Sequence, residues 1–162
     1  MTLAHPATPP ASTAAPPTTY PQRAGRATRI TAALAALAML AVLLLAATLR
    51  ADPAGHGTHR QLGMAPCGFA VATGKPCPTC GMTTAFTHTA HANYLKAFAT
   101  QPGGMLASLG VAALLWVCLH TALTGSRSLE LCGKLLTPKA LWIAAGIWLG
   151  SWAYTFVTWN PA

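Results

Sequence analysis

From Ile30 to Leu49 the chain runs for twenty residues without a charged side chain. At about 1.5 Å of rise per helical residue, such a run spans roughly 30 Å, the thickness of a bilayer's hydrocarbon core. Two further uncharged stretches follow. One lies between Lys96 and Arg127, with Met105–Leu123 apolar enough to cross, and the other follows Lys139, with Ala140–Thr158 as its membrane part. Pro102-Gly103-Gly104 precedes the second and Pro138 opens the third, residues that punctuate helices. Trp142 and Trp159 lie near opposite ends of the third run, where indole rings favour the interface. Only 7% of the 162 residues are charged, against roughly a quarter in a soluble domain, and Asp plus Glu number two. Catalysis by paired carboxylates is thereby disfavoured, because Asp52 and Glu130 are distant in sequence. The expected fold is all-α: a polytopic integral membrane protein of three transmembrane helices with the lipid bilayer as its first partner.

The formal net charge of +8 does not imply nucleic acid, because the basic residues flank apolar runs instead of clustering on one face. Arg23, Arg26 and Arg29 precede the first run, and Arg127, Lys134 and Lys139 lie between the second and third. Against these six stand Arg50, Arg60, Lys75 and Lys96 in the long first loop, so the positive-inside rule puts the N-terminus in the cytoplasm. Residues 1–29 read as a disordered Pro/Ala/Thr-rich tail ending in this basic flank. The run at 30–49 exceeds the length of a signal-peptide core and reads as an uncleaved anchor, with the Ala-rich stretch at Leu45–Thr48 as the feature that favours cleavage. A Cys-rich loop is expected over 50–81, an amphipathic helix over 82–101, membrane helices over 105–123 and 140–158, and a short basic loop over 124–139.

Chemical content concentrates in Gln61–Gln101. Cys67, Cys77 and Cys80, three of the five cysteines, fall within fourteen residues. The C-x-x-C spacing brings two sulfurs close enough to share a metal ion or to form a reducible disulfide. Pro78 restricts the backbone between them, and Gly81 frees it just afterwards. A helix from Met82 to about Thr100 would carry Met82, Phe86, Ala90, Tyr94 and Ala97 on one stripe, with Thr84, His88 and His91 opposite. Its N-terminal dipole would favour thiolates at Cys77 and Cys80.

The run Gly74-Lys75-Pro76-Cys77-Pro78-Thr79-Cys80-Gly81-Met82-Thr83-Thr84-Ala85 resembles the G-x-P-C-P-x-C-G-x-T-x-A signature of the bacterial domain-of-unknown-function family 2752. The upstream Cys67 and the later Pro102 are similar as well, and the likeness extends over roughly Leu62–Leu123. It implies a small protein of the bacterial cytoplasmic (inner) membrane with a few membrane helices, and no established activity. The family pattern usually has Arg where Thr84 stands, so no role resting on that Arg carries over.

Three readings of the cluster stand side by side. Cys67, Cys77 and Cys80 with His88 or His91 as fourth ligand would form a Cys₃His metal site, zinc being the natural ion. Cys77 as attacking and Cys80 as resolving sulfur would make a membrane thiol–disulfide oxidoreductase or an accessory to one. Buried thiols or a disulfide would make the turn purely structural. The first and third describe a non-enzymatic membrane module. Elsewhere, His120 lies near a membrane helix end, Cys118 reads as packing, and Cys132 lies across the membrane from the cluster. Gly146 and Gly150 form a G-x-x-x-G pair suited to a homo-oligomer contact.

Overall fold

The computed structural model describes residues 23–159, and the tail reading of residues 1–22 lies outside them. The order of elements is α1 (Arg26–Thr48), a 3₁₀ turn (Thr58–Leu62), α2 (Gly68–Thr73), α3 (Met82–Ala90), α4 (Tyr94–Thr100), α5 (Pro102–Thr124), α6 (Ser128–Leu135) and α7 (Pro138–Val157). No strand occurs among the described residues, and α1, α5 and α7 are long and apolar enough to span a membrane. The all-α architecture with three membrane-spanning helices thus stands. Helix α1 begins at Arg26, inside the basic flank, and α6 lies within the short basic loop.

α1 and α5 form the central pair. Ala32, Ala36 and Cys118 are buried together between them, with Met39 and Leu115 packed alongside. Small side chains at this seam let the two backbones approach, the commonest device for joining helices in lipid. At the seam's end Arg29 donates from Nε and Nη2 to the carbonyls of Ala122 and Leu123, at 3.0 and 3.1 Å. The Ala24 amide donates to Gly125 at 2.8 Å, so the α1 entry caps the open carbonyls that end α5. This is the end where the six basic residues gather. The Cys-rich loop, α3 and α4 sit at the other.

The single amphipathic helix expected over 82–101 is two. Ala92 takes a φ of +58°, and the chain re-enters helix at Tyr94 after α3 has ended at Ala90. The two stripes leave the packing face open, and the structure decides it. Thr84, Ala85 and Thr87 are the inaccessible residues of α3, while Met82 and Phe86 stay partly exposed. The reason lies in Gly103 and Gly104, which occupy the first turn of α5 after Pro102 at its N-terminal position and do not precede the helix as breakers. A Cβ on Gly104 would run into Gln101 Oε1 and lie 3.0 Å from the Ala85 Cβ. A backbone approach this close accepts small side chains and rejects Met or Phe. The threonine hydroxyls are satisfied: Thr87 donates to the Thr83 carbonyl one turn back at 2.9 Å, and Thr84 shares a hydrogen bond with Thr58 of the 3₁₀ turn at 2.8 Å.

α7 is the most exposed of the three long helices. Its closest fit is at Ser151, whose Oγ accepts from the Gly103 amide at 2.7 Å. A Cβ at Gly146 or Gly150 would meet nothing within 4 Å among the described residues.

Candidate metal centre in the Cys-rich loop

The loop returns to the bundle after α1 by a chain of polar contacts. Asp52 donates its amide to Thr58 Oγ1 at 3.0 Å, and Thr58 in turn meets Thr84 on α3. The Thr84 hydroxyl is fully enclosed in this contact. The next segment brings in Cys67 at the start of α2. His59 Nε2 lies 3.2 Å from the Ala65 carbonyl and ties this segment to the 3₁₀ turn.

From Gly74 the chain runs to Cys77-Pro78-Thr79-Cys80, a turn closed by the Cys80 amide on the Cys77 carbonyl at 3.0 Å. Gly81 follows with φ +84°, and a side chain there would also press on the Gly55 carbonyl, 3.1 Å from an added Cβ. Glycine is therefore required twice over at this position. α3 then begins.

Three contacts press this turn onto the membrane helices. Trp152 Nε1 donates to the Pro76 carbonyl at 3.1 Å, and Gln101 Nε2 donates to the Pro78 carbonyl at 3.3 Å. The Lys75 ammonium lies over the Phe156 ring, 5.0 Å from its centroid. Trp152 precedes the end of α7 by five residues, so the loop reaches about 7.5 Å below that helix end. Gln101 is 1% exposed, and its Oε1 has no partner among the described residues. Neither Gln101 nor Trp152 carries a local sequence signal. Both act through distant chain segments.

The outcome is a convergence of sulfur. The Sγ atoms of Cys67, Cys77 and Cys80 all lie within 4.8 Å of one another, and all three are free thiols. Cys77 and Cys80 are 3.2 Å apart at sulfur. Thiolates on a tetrahedral zinc, at about 2.3 Å each, stand about 3.8 Å from one another, so the spacing suits one shared ion. Cys80 is buried while Cys67 and Cys77 are half-buried. At Cys77 burial acts to raise the pKa, but hydrogen bonds with Thr79 and Cys80 outweigh it and bring it down to about 7. Burial first, and then the hydrogen bond with Cys77, push Cys80 up to about 12. The triad can hold a metal ion, and its surroundings favour the thiolate at Cys77 and the thiol at Cys80.

The histidines fall elsewhere. The close group contains the three sulfurs and not His88, which lies on α3 beside a neighbouring hollow shared with Cys80 and Lys96. Burial, then the charges of Lys96 and His91, hold the His88 pKa below its ordinary value. His91 Nδ1 contacts the Thr87 carbonyl of its own helix at 2.8 Å. At the opposite end His120 Nδ1 meets Ser126 Oγ at 2.9 Å, a local contact at the foot of α5. Cys118 is part of the α1–α5 seam, and Cys132 lies on α6 at the end away from the triad.

No curated protein and no solved structure matches the chain. A family model described as Protein of unknown function (DUF2752) matches residues 67–115, a segment that opens on Cys67, contains the Cys77–Cys80 turn and ends within α5. The resemblance read from the cysteine motif is therefore shown over just under a third of the chain, as a likeness to the family of unknown function DUF2752.

Proposed function

We propose that the protein is a non-enzymatic membrane module that holds one zinc ion on Cys67, Cys77 and Cys80. The observation that carries this reading is the third sulfur. A disulfide needs two cysteines, whereas Cys67 is brought in from a separate helix to within 4.8 Å of both others. Three thiolates leave one of zinc's four positions to water or to a side chain such as His88. The ion would bind the start of α2 to the turn that opens α3, segments too short to be stable alone. The basic-residue balance supports a cytoplasmic N-terminus in the inner membrane, with the triad on the far side. Zinc ligation would there protect thiols that an oxidising compartment otherwise pairs.

The test is elemental analysis of the purified full-length protein alongside thiol counting. About one zinc per chain is expected in the wild type, and little in Cys67→Ser or Cys77→Ser. Absence of any transition metal, with all five cysteines counted as reduced thiols after unfolding, would contradict the proposal. A second reading, a thiol–disulfide couple, is favoured by the contrast between Cys77 and Cys80 across 3.2 Å. It requires a dithiol that oxidises and re-reduces reversibly in metal-free protein, with Cys67 uninvolved.

A further inference from the structure

A cleft of about 770 Å³ lies between α1 and the Cys-rich loop; Cys67, Cys77 and Cys80 form one part of its lining, and the remainder is used neither by the metal reading nor by the packing of the bundle. One wall is membrane helix, with Val42, Leu45 and Leu49, and the facing wall includes Met64, Val71 and Phe86 of the loop and α3. Val42 precedes the end of α1 by six residues, so the floor reaches about 9 Å below that helix end. Val42 and Leu45 remain 49% and 46% exposed. The wall of the cleft therefore continues into the surface that α1 presents to lipid. A volume in the range of roughly 300–1,000 Å³ with apolar walls and few polar groups is that of a small-molecule site, sized here for one hydrocarbon chain.

The polar groups at the cleft select the head. His59 and Arg60 both line it. Arg60 is exposed and has no carboxylate partner among the described residues. Asp52 lines it too; its Oδ1 accepts from the Ala54 amide at 2.9 Å, and its Oδ2 faces Gly57, on the side where the Arg60 Cδ also lies, without forming an ion pair with the guanidinium. The guanidinium is thus available to a carboxylate or phosphate, which it binds as a fork.

We propose that this cleft binds a single-chain amphiphile with an anionic head, entering from the bilayer along α1 and seating its head on Arg60. The chain lies between α1 and the loop, adjacent to Cys77 and Cys80. The site needs no ion in the triad, so the inference goes beyond the zinc reading and can fail or hold separately from it.

The experiment uses delipidated full-length protein in detergent, with and without a chelator. A palmitic acid bearing a photoreactive diazirine on its chain is titrated and cross-linked, and the labelled peptides are mapped. Saturable labelling on Val42–Leu49 and Met64–Phe86, displaced by palmitate, is expected. Hexadecanol should compete about tenfold less well, and Arg60→Gln should weaken palmitate about tenfold while leaving hexadecanol unchanged. Arg60→Lys should recover much of the loss, because it restores the charge. Since Arg60 is exposed, these variants keep the fold. Labelling that never saturates, or spreads over α5 and α7 with Arg60→Gln indistinguishable from wild type, would show ordinary annular lipid and overturn the proposal. A self-associated dimer that excludes palmitate from the cleft would overturn it equally.

Discussion

The five cysteines divide between two ends of the molecule, and the two groups owe their surroundings to opposite physics. Cys118 is buried against Ala32 and Ala36 because a small apolar side chain lets α1 and α5 close on each other. Its sulfur is packing material. Cys77 and Cys80 are fixed by the Pro76 and Pro78 carbonyls that Trp152 and Gln101 hold, and Cys67 reaches them from the start of α2, in a loop with almost no apolar core of its own. Similarity to the family model covers the second group and stops at Leu115, three residues before Cys118. Residue type alone does not separate them. What separates them is whether the chain spends polar contacts on aiming the sulfur.

The sharpest contrast is in reactivity. In metal-free protein, alkylation of Cys77 should rise with pH through about 7, since the thiolate is the nucleophile and is lost by protonation below that value. Cys80, held as a thiol up to about 12, should react orders of magnitude more slowly at pH 8. Residue-resolved labelling across pH checks this, and equal rates would break the asymmetry. Next in size is Gly104→Val. The added side chain meets Gln101 Oε1 and the Ala85 Cβ, and overpacking of this kind costs about 1–3 kcal/mol. A clear fall in melting temperature in detergent is expected, together with loss of zinc, because the collision lies directly beneath the triad's turn.

Gln101→Ala removes the donor to Pro78 and should cost about 1–2 kcal/mol, while weakening zinc more than it weakens the α1–α5 pair. A chelator-competition titration beside a thermal melt reads both. Cys118→Ala should cost about 1 kcal/mol through a small void and leave zinc stoichiometry untouched. If it alters the metal content, the two cysteine groups are not independent. The smallest effect is expected at Gly146→Ala. No described residue lies within 4 Å of a Cβ added there, so stability should be unchanged or improved by about 0.5–1 kcal/mol. A drop in self-association with that variant would instead place a neighbouring copy on this face.

Bilayer thickness made the three long helices legible, because twenty uncharged residues admit few alternatives. The same logic misplaced the details that depend on contact. Gly103 and Gly104 read as breakers, since a sequence reports glycine's flexibility but not the helix that comes close to it. The helical stripes do not say which face packs on the bundle, whereas that close approach selects Thr84, Ala85 and Thr87 for burial and leaves Met82 and Phe86 partly exposed. The break at Ala92 carries no glycine or proline to announce it. Around the site, the C-x-x-C pair was visible because its spacing is local. That Cys67 reaches the pair while His88 is outside the close group depends on how α2 folds back, which spacing does not encode. Gln101 and Trp152 contact the motif from 23 and 76 residues away, with ordinary side chains in ordinary positions.

The central claim is that three sulfurs, and not two, form one centre. Zinc-dependent protection of each cysteine tests it most directly. Full-length protein in detergent, loaded with zinc or stripped by a chelator, is alkylated and every cysteine is quantified by mass spectrometry. The account predicts that zinc protects Cys67, Cys77 and Cys80 together, at one ion per chain, and leaves Cys118 and Cys132 unaffected. Protection confined to Cys77 and Cys80, with Cys67 reacting equally in both states, would contradict it.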